Sequence, residues 1–77
     1  MFILDGEGVL RMISYEPLFR TMKEKGISSY RLGKLGFPMS NYYAMKRGHD
    51  VSTHTLNQIC ALLHCRIEDV LEYIDED

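Results

Sequence analysis

The side chains with most chemistry to offer lie between Ser28 and Gly48, in the run SSYRLGKLGFPMSNYYAMKRG. Arg31, Lys34, Lys46 and Arg47 can neutralise phosphates by Coulomb attraction. Ser28 and Ser29 suit a helix start, where free backbone N–H donors and the positive helix end favour an anion. Met39, Ser40, Tyr43 and Ala44 fall on the outward side of a second short helix, with Asn41 and Lys46 at its border. The Ser40 hydroxyl can donate to or accept from a base edge, and Met39 and Ala44 can pack against a thymine methyl. Tyr43 can reach a base or a phosphate, and Asn41 can contact either. Phosphate contacts position a protein on a duplex, and base contacts specify the sequence.

Other reactive side chains converge less. His54 and His64 have no nucleophile or orienting carboxylate fixed beside them, and Glu68, Asp69 and Glu72 sit in an exposed acidic run. Catalysis needs groups that meet in a protected site, so no enzyme is expected. Cys60 and Cys65 stand five apart, near His49, His54 and His64. The close Cys pair with a matching distant pair that marks zinc is missing, and Cys60 falls in an apolar helical stripe. Neither metal, cofactor nor disulfide is expected.

The elements that hold the central run follow from periodicity and caps. Ser14 is a good cap for a first helix, and Pro17 is tolerated in its first turn. Tyr15, Leu18, Phe19 and Met22 form an i, i+3, i+4, i+7 stripe, and Gly26 stops it. Ile27 can staple back across the next cap. A second helix is predicted from Ser29 to Leu35, and Gly33 within it suggests close approach of a crossing helix. Gly36 breaks that run, and Pro38 fits near the next start. A third helix is predicted from Met39 to Arg47, with Phe37, Tyr42 and Met45 facing the core. Ser52 begins a fourth, striped by Leu56, Ile59, Cys60 and Leu63. Ile67, Val70, Leu71 and Ile74 repeat the stripe and predict a fifth helix. Glu68 and Asp69 stand in its favourable first turn. Residues 1–11 read as an extension, an extended or disordered arm or a short strand, and residues 12–77 as the domain.

Seventy-seven residues make one domain at most. Such a domain buries only about 60% of its unfolded surface, so a dimer is a ready way to bury more. No apolar run reaches the roughly 18 residues of a membrane span. The opening MFILDGEGVL is too short and acidic for a signal peptide, so a cytoplasmic location is expected. Net charge is −2, yet it is unevenly spread. From Arg11 to His49, eight Lys or Arg face Glu16 and Glu24. From His64 to Asp77, Arg66 faces six acids. A basic body with an acidic tail suits an anionic ligand on one face.

A short helix, a Gly-containing turn and a second short helix make a helix-turn-helix. With ISYEPLFRTMKEKGIS before it, LGKLGF within it and VSTHTLNQICALLHCRIEDVLEYI after it, the chain from Ile13 to Ile74 resembles the Cro and phage-repressor-like regulators. It is most similar to their small single-domain bacterial branch. The resemblance implies an all-α, compact five-helix, lambda-repressor-like domain. It matches Gly36 to the glycine that opens the turn, Phe37 to its apolar anchor and Pro38 to the cap of the recognition helix. Met39, Ser40 and Ala44 match positions that point at base edges, with Tyr43 beside them. Ser28 and Ser29 match the phosphate-touching start of the second helix. Arg31 stands where the family usually has leucine, and Lys46 where it usually has an acid.

The implied function is sequence-specific binding of double-stranded DNA as a transcriptional regulator, a repressor. Met39, Ser40 and Ala44 replace the long polar readers usual there, so modest single-site specificity is expected, strengthened by a homodimer on two half-sites. The fifth helix, with Leu71, Tyr73 or Ile74, is the candidate dimer surface. The alternative is a protein-interaction or antitoxin-like adaptor that kept the fold and lost strong base readout.

Overall fold

A computed structural model describes residues 2–4 and 10–76, with residues 2–4 and 10 described as backbone only. Its elements run β1 (Phe2–Leu4), β2 (Leu10–Ser14), α1 (Glu16–Lys25), α2 (Ser29–Lys34), α3 (Met39–Lys46) and α4 (Thr53–Leu63). A 3₁₀ turn (Ile67–Asp69) and β3 (Glu72–Asp75) follow. The strands form one antiparallel sheet with β2 in the middle. Met12 stands opposite Phe2 on one side and Ile74 on the other.

Among the described residues, four α-helices form where apolar spacing and caps place them. The Ser14 Oγ accepts from the Glu16 N–H at 3.1 Å, with Tyr15 in the cap position one residue later than expected. Ser28 caps α2 by accepting from the Arg31 N–H, and Ser52 caps α4 by accepting from the Thr55 N–H, each at 3.1 Å. Inward stripes meet in one core: Leu18, Leu32, Phe37, Met45, Ile59, Leu63 and Val70 are all but fully buried. Tyr15, Met22 and Tyr42 complete it. Burial, then nearby Asp50, pushes the Tyr15 phenol above its ordinary range.

The expected fifth helix is corrected: the small, mainly helical domain with its helix-turn-helix carries a short sheet in that helix's place. Ile67 to Ile74 is a 3₁₀ turn followed by a strand. In a helix, the carbonyls of Asp69 and Val70 would accept from residues four further on. Here α1 takes both. The Thr21 Oγ1 donates to the Asp69 carbonyl at 2.7 Å, and the Leu18 N–H donates to the Val70 carbonyl at 3.1 Å. The chain leaves the helical ladder and pairs with β2 instead, Tyr73 opposite Ile13. Of the expected stripe only Val70 is fully buried, and Ile67 is exposed. Leu71 and Ile74 are half-buried and Tyr73 exposed, but on or beside a strand, not a terminal helix. Residues 2–4 and 10–11, expected as an arm or a short strand, lie within the sheet.

All four helices end the same way. A residue in left-handed conformation follows each: Gly26, Gly36, Gly48 and His64, with φ of 68, 103, 76 and 51°. The next N–H then reaches back to a carbonyl five residues earlier. These bonds are Ile27 to Met22 (2.9 Å), Phe37 to Leu32 (3.3 Å), His49 to Ala44 (2.8 Å) and Cys65 to Cys60 (3.1 Å). This Schellman closure brings the side chains at its two ends together. At the turn between α2 and α3 it sets Phe37 beside Leu32 in the core. After α4 it sets the two free, half-buried cysteines side by side. Burial, then Cys60 and Asp69, pushes the Cys65 thiol up to about 11.

Three outcomes follow. Phe37→Ala removes the largest fully buried side chain among the described residues, and should cost about 3–5 kcal/mol in urea unfolding. His64→Gly relieves a left-handed side-chain residue worth about 1–2 kcal/mol, less the greater chain entropy of Gly. A higher melting temperature is expected, and an unchanged or lower one would count against strain at His64. Cys65 should be alkylated by iodoacetamide at pH 8 far more slowly than an exposed thiol, because little of it is thiolate.

Candidate nucleic-acid interface

The α2–α3 corner is built from the Gly36 turn outward. Phe37 turns into the core, and the Pro38 carbonyl accepts from the Asn41 and Tyr42 N–H groups to start α3. With Tyr42 and Met45 buried on one side of α3, helical geometry leaves Ser40, Tyr43 and Arg47 exposed on the other. Tyr43 is 48% exposed. Its ring meets Tyr42 edge-on with centroids 5.4 Å apart, and Tyr42 in turn meets Phe19 of α1 edge-on at 6.0 Å. That aromatic chain fixes α3 against the body.

The residues expected to read bases are not alike in the fold. Ser40 and Tyr43 project from the surface. Met39 and Ala44 are half-buried. Met39 leans back on α2, where a Cβ at Gly33 would come within 3.2 Å of its Sδ. The close helix approach expected at Gly33 is therefore present. Asn41 is half-buried, and its Nδ2 donates to the Thr55 Oγ1 of α4 at 3.2 Å, so its amide ties two helices together.

Among the expected phosphate contacts, Arg31, Lys34, Lys46 and Arg47 are all exposed. The Lys34 ammonium lies 5.4 Å from the centre of the Tyr30 ring, and that of Lys46 lies 5.8 Å from the Tyr42 ring. Ser28 is exposed while capping α2, and Ser29 is half-buried. Two clefts meet at that helix start. One, of about 490 Å³, is lined by Ser29, Tyr30, Gly33, Lys34, Met39 and Tyr43. Thus Lys34 stands on the same side as Met39 and Tyr43. The other, of about 440 Å³, brings Ser28, Ser29 and Lys46 together with Lys23 of α1. Arg47 and Lys46 border a third cleft, beside β2.

Two residues of these clefts escaped sequence reasoning. Tyr30 is 73% exposed, the most exposed large apolar side chain among the described residues. Its i, i+4 spacing from Lys34 was the available signal. Lys23 reads from sequence as one solvated charge among several, and only the fold sets it near Ser28.

Comparison with known proteins agrees with this geometry. The family model of the Cro/C1-type helix-turn-helix DNA-binding domain matches residues 18–76. The fold is similar to the crystal structure of the transcriptional regulator VanUg, Form II, with a TM-score of 0.75 and 24% sequence identity. That likeness covers 86% of this chain and 89% of the other. A search of curated protein sequences gives no match. With most of its length matched by that model, including the whole α2–α3 corner, the chain belongs to the Cro/C1-type helix-turn-helix DNA-binding domain family.

Proposed function

We propose that this DNA-binding regulator of transcription is a cytoplasmic repressor, bound as a homodimer with α3 of each copy in the major groove. The observation that carries the reading is the exposure of Ser40 and Tyr43 on α3 while Lys34 shares their side of the molecule. Arg31, Lys34 and Arg47 would contact phosphates and set position. Ser40, Met39, Tyr43 and Ala44 would meet base edges. Asn41, already bonded to Thr55, contributes by holding α3 to α4. Two half-sites about one helical turn apart would multiply a modest single-site preference. Binding alone, without a catalytic step or cofactor, is the assigned activity. Among the described residues no helix is long and apolar enough to cross a membrane.

The second reading, an adaptor for another protein, draws on the exposed Tyr30 and Tyr43 rings. A fluorescence titration with random duplex DNA at two salt concentrations separates the two. The regulator should bind in a salt-sensitive way. Lys34→Ala and Arg47→Ala should each weaken all sequences alike and lower the salt slope by about 0.9 per lost phosphate contact. No binding at low salt, with a protein partner recovered in its place, favours the adaptor.

A further inference from the structure

The groove between α2 and α3 has an unusual lining for a surface that meets a polyanion. Gly33 brings no side chain, so the Met39 thioether lies against the bare backbone of α2. Tyr30 from α2 and Tyr43 from α3 add two largely exposed aromatic rings. Lys34, the Ser29 hydroxyl and the two phenol hydroxyls are its polar groups, and the Lys34 ammonium sits near the Tyr30 ring. Met39 and Tyr43 are i, i+4 on α3, and Ser40 and Ala44 form the adjacent row. The groove therefore continues directly from the base-facing side of α3.

The major-groove edges of DNA bases carry donors, acceptors and one apolar group, the C5-methyl of thymine. A polar base edge pressed on thioether and aromatic carbon would lose its water without replacement. The methyl gains from the same contact. A cation at the rim suits the phosphate beside that base. We infer that this groove reads a pyrimidine C5-methyl, with Met39, Tyr30 and Tyr43 around the methyl and Lys34 on the neighbouring phosphate. The inference rests on the DNA-binding reading above, and adds Tyr30 and Gly33 as specificity determinants.

Gly33 makes the test sharp. An Ala there would crowd the tip of a flexible Met39 side chain, which can give way. It would also strengthen the helix, where Gly is unfavourable. Gly33→Ala should thus keep or raise the melting temperature while filling the groove.

The experiment begins with selection of an operator from a random duplex library. Each thymine is then replaced in turn by deoxyuridine, which removes only the methyl. One position per half-site should lose about fourfold in affinity, the worth of one buried methyl-sized group. In Gly33→Ala, and in Tyr30→Ala, that ratio should fall towards one. An operator bound tightly yet indifferent to every methyl overturns the inference and leaves the DNA-binding reading standing. So does a methyl preference that both variants retain. Failure to enrich any operator, with no salt-sensitive DNA binding, overturns both.

Discussion

The turn that closes α2 is the constraint on which the corner depends. Gly36 takes a left-handed backbone, the Phe37 N–H returns to the Leu32 carbonyl, and the Phe37 ring goes into the core with Leu32. That one closure sets the angle at which α3 leaves. It also decides which of its sides is buried, since Pro38 starts the helix immediately afterwards. The same device ends α1, α3 and α4. Each closure satisfies helix-end carbonyls that short helices would otherwise leave open. In a chain whose α2 has only six residues, such ends are a large part of the structure.

Stability and function pull against each other at α3. Its inward side carries Tyr42 and Met45, and half-buried Met39 and Ala44 with exposed Tyr43 carry apolar surface on beyond the core face. A helix meant only to stabilise the domain would keep its outer face polar. Gly33 adds to the conflict, weakening α2 by about 1 kcal/mol relative to Ala. Both departures occur at the same place, where α2 and α3 approach closely and Met39 packs against the edge of the core. Local sequence rules tend to break where a site is built.

How much could be read from the residues varies by element. Helices α1 and α4 are plain in their stripes, as are the cap at Ser28 and the start of α4 at Ser52. The close approach at Gly33 was also legible. The stretch after Ile67 was not, because its stripe satisfies the helical period while the deciding bonds come from Leu18 and Thr21, some fifty positions earlier in the chain. Periodicity sees only neighbours in sequence. Its pairing partner β2 was hidden for the same reason: Ile13 was credited to the domain, but nothing local said that a strand from the far end would lie beside it. At the corner, the outward set was legible as a face of α3. The bond from Asn41 to Thr55 and the lean of Met39 were not, since each depends on a second helix.

The charge segregation gains a meaning from this topology. Glu72 and Asp75 belong to a strand bound to β2, where Arg11 stands opposite Asp75 and pairs with it at 3.4 Å. Asp69 is held to α1 through its backbone, and its carboxylate accepts from the Arg66 N–H at 3.0 Å. Asp69, Glu72 and Asp75 are therefore anchored on β2 and α1, neither of which lines the groove between α2 and α3. As a helix projecting from the body it could have swung towards the cations. As a strand it is fixed by ladder bonds, and Arg31 and Lys34 keep their exposure. A modest net charge of −2 is then compatible with a polyanion ligand, because attraction at about a Debye length depends on local rather than total charge.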